Sequence, residues 1–141
     1  MIRTFKPEDL DDVMAIWLKA NTEAHHFISR QYWEENYEQV KSMLPQADIV
    51  VYEKNGQNLG FIGLNNQFIE GLFVEPSEQS KGIGQALLDY AKRSKSSLML
   101  HVYKNNRRAV HFYYKNGFCI TSEQVDENVA QVECVMKWQA L

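Results

Sequence analysis

Gln79-Ser80-Lys81-Gly82-Ile83-Gly84 stands between an apolar run, Leu72-Phe73-Val74, and a helix pattern that begins near Ile83. A strand, a short glycine-containing turn and a helix N-terminus together form an anion site. The first amides of a helix have no intrahelical partner, and the helix dipole favours negative charge there. Glycine lets the backbone approach a pyrophosphate with no Cβ in the way. A phosphate-bearing cofactor is therefore the expected ligand, against the plainer reading of a tight turn. The stretch is not a Rossmann fingerprint, because the leading Gly is missing and no strand–helix–strand unit opens the chain. Nor is it a Walker A loop, since it lacks the closing Gly-Lys-Ser/Thr.

The chain has 141 residues, of which 45% are hydrophobic and 23% charged. These values fit one globular domain, residues 1–141, able to bury a core without a metal or disulfide staple. A net charge of −3 offers no case for nucleic acid or a membrane surface as partner. Cys119 and Cys134 lie in apolar, strand-like runs and are expected to be buried free thiols. Met1-Ile2-Arg3-Thr4 leads straight into a polar segment, without the pattern of a secretory signal. No apolar run approaches the roughly 18 residues of a membrane span. A cytoplasmic location is the expectation.

Outward from the hexapeptide, the elements read as follows. Ile2–Phe5 is a short strand. Lys6-Pro7-Glu8-Asp9 starts a helix whose Leu10, Val13, Met14, Trp17 and Leu18 recur at helical spacing and which ends near Asn21. Ser29 caps a second helix running through Trp33, Tyr37 and Val40 to about Leu44, closed by Pro45. Ile49–Glu53 and Leu59–Leu64 flank Asn55-Gly56, a hairpin signal. Phe68–Val74 is a strand, Gly82–Ser94 a helix with Ile83, Leu87, Leu88 and Ala91 on one face, and Leu98–Tyr103 a strand. Arg107–Asn116 is a helix with Gly117 after it. Phe118–Thr121 and Val132–Trp138 finish the sheet. Hairpin-linked strands followed by strand–helix–strand crossovers imply an α/β fold with a mixed sheet covered by helices on both faces.

The hexapeptide resembles the Gln/Arg-x-x-Gly-x-Gly/Ala signature of the GNAT superfamily of N-acetyltransferases. Gly71-Leu72-Phe73-Val74-Glu75-Pro76 is similar to the strand and Pro that lead into it. A second block, Asn106-Arg107-Arg108-Ala109-Val110-His111-Phe112-Tyr113-Tyr114-Lys115-Asn116-Gly117-Phe118, resembles the family's Asn-x-x-Ala-x-x-Phe-Tyr-x-x-x-Gly-Phe motif. The element order matches too, so the resemblance covers essentially the whole chain. It implies the GNAT fold, a mostly antiparallel sheet of about six to seven strands. It also implies acetyl-CoA as cofactor and direct acetyl transfer to an amine with no covalent acetyl-enzyme. On this resemblance Gln79, Ser80, Lys81, Gly82, Ile83, Gly84 and Gln85 surround the CoA pyrophosphate. Leu72, Phe73 and Val74 pair with the pantetheine as an added strand would, where Phe68–Val74 and Leu98–Tyr103 splay apart. Asn106 matches the family's pantetheine contact. Ala109, Phe112 and Lys115 complete the cofactor side, and Arg107-Arg108 is a solvated helix start from which either residue reaches toward the 3′-phosphate.

Direct transfer needs an acceptor amine without its proton, a stabilised oxyanion and a proton for the leaving thiolate. Tyr113 occupies the family position that supplies this proton; the plainer role is a buried aromatic against the cofactor. Tyr114 points roughly 100° away on the helix. His101 is the first base candidate, since imidazole titrates near neutrality. It resembles a base on the matching strand of protein amino-terminal acetyltransferases. Glu70 is the second, although the position that matches the histone acetyltransferases' Glu is Phe68. Strand alternation puts Glu70 on one face with Phe68 and Leu72. His25, His26 and Phe27, together with Phe68, are expected at the acceptor entrance, and no metal is expected, for want of ligand spacing around the two histidines. The resemblance to small bacterial members implies a protein or peptide lysine or amino-terminal amine as acceptor. A small-molecule amine, a longer acyl group and a non-catalytic CoA-binding module stay open, as do monomer and homodimer.

Overall fold

Asn55 and Gly56 both take positive φ, 53° and 76°, the geometry of a two-residue hairpin turn that matches strand twist. They join β2 (Asp48–Lys54) to β3 (Gln57–Asn65), which turns at Asn66-Gln67 into β4 (Phe68–Val74). The computed structural model describes residues 1–141. Its single sheet has seven strands in the order β1-β2-β3-β4-β5-β7-β6, where β1 is Ile2–Thr4, β5 Ser97–Tyr103, β6 Cys119–Asp126 and β7 Gln131–Gln139. Every neighbouring pair is antiparallel except β4 and β5. Four α-helices, α1 (Leu10–Ala24), α2 (Arg30–Met43), α3 (Ile83–Arg93) and α4 (Arg107–Lys115), complete the α/β fold. None of them is long and apolar enough to cross a membrane.

Strand alternation divides the apolar residues between two cores. Ile62, Leu64, Ile69, Leu98, Leu100 and Met136 pack under α3 and α4, against Leu87, Leu88 and Tyr113. Ile49, Val51 and Phe61 point the other way and pack under α1 and α2, against Val13, Met14, Trp17 and Trp33. Leu87 and Leu88 are fully buried, and truncation of such a side chain to Ala costs about 2–5 kcal/mol. The start of α1 is tied to β1 by Arg3. Its guanidinium donates to both carboxylate oxygens of Asp9 at 2.8 and 2.9 Å. The hydrogen bond from Arg3 holds the Asp9 carboxyl far below the usual carboxylate range.

The elements follow the order expected from the sequence, with three differences. Helix α1 runs on to Ala24 instead of ending near Asn21. The Asn21 amide donates back to the Trp17 carbonyl at 2.9 Å, and Thr22 Oγ1 does the same to Leu18, so both polar side chains are absorbed without breaking the helix. Strand β6 extends to Asp126, well past Thr121. It is an edge strand with almost every residue exposed, so no apolar alternation marks its second half. For the same reason Cys119 is exposed rather than buried, whereas Cys134 is buried as expected.

Candidate active site

Strands β4 and β5 pair at a single position, Phe68 with Met99, closed by the Met99 amide donating to the Gln67 carbonyl at 2.9 Å. Beyond it β4 stays with β3 up to Val74, while β5 follows β7 along its whole length. The facing edges separate, and β4 presents backbone N–H and C=O groups to an open cleft. A bulge on β4 lies at the head of this cleft. The register steps from Leu64↔Ile69 to Gly63↔Gly71, which leaves Glu70 as the extra residue. Bulges bend a strand and increase its twist. This one also corrects the expected face of Glu70. Leu72 packs in the α3–α4 core, whereas Phe68 sets its ring against His101 on the opposite face. The two flanking residues therefore do not share a face.

At the far end of the cleft lies the loop Gln79–Gly82. Ser80 and Gly82 take positive φ, 66° and 88°, which turns the chain sharply into α3. The backbone N–H groups of six successive residues, Ser80 to Gln85, donate to no backbone or side-chain acceptor of the protein. The space where a Gly82 Cβ would stand is open, and Gly84 lies against Val74 and Phe112. A row of free donors on an open loop at a helix N-terminus fits a pyrophosphate. Lys81 is held by Glu78 at 2.9 Å, and Lys115 is exposed on the last turn of α4. Gln85 reaches Asn116 at 2.6 Å. The two arginines that open α4 diverge. Arg107 lines a separate hollow with Lys104 and His111. Arg108, exposed at the helix start as expected, also donates to Gln79 Oε1 at 3.0 Å and Ser80 Oγ at 2.7 Å.

Tyr113 projects from α4 into the core beneath the cleft, edge-on to Phe112 and Phe118. Its hydroxyl has no hydrogen-bond partner in the chain, and burial alone raises its pKa well above the ordinary tyrosine value. It is therefore held in the protonated form, the state an acid requires. Asn106 caps α4, its Oδ1 accepting from the Ala109 amide at 3.3 Å. Its Nδ2 lies 3.2 Å from His25 Nε2.

His101 is on the other face of β5, since its neighbours Leu100 and Val102 are buried in the core that holds Tyr113. It is exposed, with Nδ1 3.4 Å from Gln124 Nε2 and 3.7 Å from Glu133 Oε1. Glu70, also exposed, lines a cavity of ≈ 420 Å³ on the α1–α2 face with Trp17, Val40, Met43, Leu44 and Phe73. His101 is not among the residues lining this cavity, so the two base candidates stand at separate points along the splay.

The α1–α2 connection differs from expectation. His25 is 8% exposed, stacked on Trp33 and edge-on to Phe27 and Tyr103. Desolvation lowers its pKa to about 4, so the ring is neutral. Nδ1–H donates to the Asn21 carbonyl at 3.0 Å, and Nε2 accepts from Asn106. Burial with both nitrogens engaged makes His25 a structural link between α1 and α4, not an entrance residue. His26 is exposed and Phe27 half-buried beside Tyr103. Tyr103, not singled out from the sequence, donates to Asp126 Oδ2 at 2.8 Å. It ties the β6–β7 turn to this aromatic cluster. Its position two residues after His101 on one strand face was the available signal.

Known proteins resemble this chain in family, sequence and fold. The model of the acetyltransferase (GNAT) domain family matches residues 45–120. The peptidyl-lysine N-acetyltransferase YiaC of Escherichia coli (strain K12) is 32% identical over 140 residues, which cover 98% of this chain and 96% of that protein. The solution structure of apo YjaB from Escherichia coli superposes with a TM-score of 0.88 at 29% identity, over 100% of this chain and 98% of that one. The PaiA N-acetyltransferase of Thermoplasma acidophilum, solved with coenzyme A, gives a TM-score of 0.83 at 21% identity, over 99% and 98% of the two chains, a likeness of fold.

Proposed function

Because this chain belongs to the GNAT superfamily and is an acetyl-CoA-dependent N-acetyltransferase, we propose that its acceptor is the ε-amino group of a lysine in a protein or peptide. The observation that carries this reading is the ≈ 420 Å³ cavity behind the β4 bulge, with mostly apolar walls and the exposed Glu70 carboxylate on its lining. A lysine side chain is an apolar stem ending in a cation, and the two chemistries match. The relative YiaC, named as a peptidyl-lysine N-acetyltransferase, supports the same acceptor. The two cores share one sheet, which supports reading residues 1–141 as one N-acetyltransferase domain. The exposed Cys119 thiol supports a reducing, cytoplasmic setting.

The free amides of Ser80–Gln85 would hold the cofactor pyrophosphate, and the unpaired edge of β4 beyond Phe68 would hold the pantetheine. Bound acetyl-CoA supplies the acetyl group as a thioester. Tyr113 keeps its phenolic proton at neutral pH and would give it up at Oη. His101 is the first base, taking the amine proton at an imidazole nitrogen, and Glu70 is the second. Both lie on the α1–α2 face, opposite the Tyr113 side of the sheet, so proton removal and proton supply are divided between the two faces. Phe68, at the one position where β4 and β5 pair, stands beside His101.

A thiol-release assay with acetyl-CoA tests the acceptor. Lysine peptides, amino-terminal peptides and small amines are compared at equal concentration. Release with lysine peptides above the other two is the expected outcome. Release confined to amino-terminal peptides or small amines would refute the lysine assignment while leaving the enzyme class intact.

A further inference from the structure

The loop that opens α3 leaves its amides free, so none of these donors helps to fix its shape. From Ser80 to Gln85 no backbone N–H is bonded within the protein. Ser80, which has a Cβ, nevertheless takes a φ of 66°, a left-handed conformation that is costly for any residue but glycine. Side chains must supply the restraint. Gln79 Nε2 donates to the Val74 carbonyl at 3.3 Å, tying the loop to the end of β4. Arg108 spans the other side, with one guanidinium nitrogen on Gln79 Oε1 and another on Ser80 Oγ. The planar fork of Arg suits two acceptors at fixed spacing, as the point charge of Lys does not.

We propose that Arg108 is a positioning residue that braces the Gln79–Gly82 loop from α4, holding Ser80 in its left-handed conformation so that the free amides are pre-organised for the cofactor phosphates. This rests on the reading of the loop as the phosphate site. Pre-organisation raises affinity by removing the cost of ordering the loop on binding. The brace also joins the two cofactor elements, because Arg108 is on the helix that carries Tyr113.

Calorimetric titration of CoA into the full chain tests the brace without relying on turnover. Arg108→Ala is expected to raise the CoA Kd about 5- to 10-fold, the range that one strained residue can account for. Arg108→Lys should fall between. Adding Ser80→Gly, which makes the left-handed conformation free of strain, is expected to return Kd to within about 2-fold of the wild type. Arg93→Ala, at the opposite end of α3, should leave Kd unchanged. An unchanged Kd in Arg108→Ala overturns the proposal. A weakened Kd that Ser80→Gly does not restore also overturns it, because Arg108 would then act by touching the phosphates directly. Gly82→Val reports on the underlying reading. If it leaves CoA affinity intact, the loop is not the phosphate site and the brace falls with it. If it weakens binding while Arg108→Ala does not, only the brace is lost.

Discussion

On the α3–α4 side of the sheet, the cleft is lined by backbone: the unpaired edge of β4 and six free amides from Ser80 to Gln85. On the α1–α2 side it is lined by side chains: Phe68, Glu70, His101, Phe27 and Tyr103. The first surface would hold a cofactor with backbone groups that any sequence carries, provided glycine and left-handed residues stand at the right places. The second depends on which side chains meet across strands and helices far apart in the chain. One half is written as a local motif, and the other is assembled only by folding. A change on the cofactor side should therefore alter CoA affinity or the acid, and a change on the acceptor side should alter acceptor selection.

The largest expected effect is on the acid. Tyr113→Phe removes one oxygen from a side chain whose hydroxyl has no partner in the chain. It should lower kcat about 100-fold or more, with the CoA Kd unchanged. Steady-state kinetics alongside calorimetry would check both halves, and an unaltered kcat would remove Tyr113 from the chemistry.

Next is the histidine that joins the two sides. His25 has a folded pKa of about 4 against an ordinary 6.5, so the unfolded state binds the proton first as pH falls. Its contribution to stability is complete above about pH 6.5 and is lost as pH drops toward 4. Between pH 7.5 and 4.5 the loss should be about 2 kcal/mol, read from urea unfolding at both values. Asp9 adds little in this window, because its carboxylate contribution is lost only at lower pH, below the ordinary Asp range. His25→Gln, which can keep a donor and an acceptor but does not titrate, should flatten the difference. If the pH dependence persists in that variant, His25 is not its source.

Gly82→Val places a β-branched residue at a φ of 88° and should weaken CoA about tenfold without changing the KM for the acceptor. The smallest effect separates the acceptor side. Glu70→Gln should raise the KM for a lysine peptide about 3- to 5-fold, as expected for one partly solvated charge, and leave the CoA Kd alone. A shifted CoA Kd in Glu70→Gln would break the division between the two sides.

The order of elements and the turn into α3 were legible because each has a local signal. Asn55-Gly56 marks a hairpin, Ile83, Leu87, Leu88 and Ala91 mark one helix face, and Gly82 marks the turn into it. What stayed hidden is long-range. The bulge at Glu70 is created by pairing with Gly63 and Leu64, and strand alternation alone puts Phe68 and Leu72 on one face. The second half of β6 is polar because it forms a sheet edge, so its composition resembles a loop, and Cys119 is exposed for that reason. The histidine pair looked like an entrance, yet Trp33, Tyr103 and Asn106 bury His25. Arg108 is an exposed helix start, as its sequence suggests, but only the fold sets it against Gln79 and Ser80.

The division of the cleft is tested most directly by following backbone amide NMR shifts during a CoA titration. The expected result is large shifts at Ser80–Gln85 and along β4 beyond Phe68, with small ones around the cavity beside Glu70. Shifts centred on that cavity, with the Ser80–Gln85 amides unmoved, would contradict the assignment of cofactor and acceptor to the two faces.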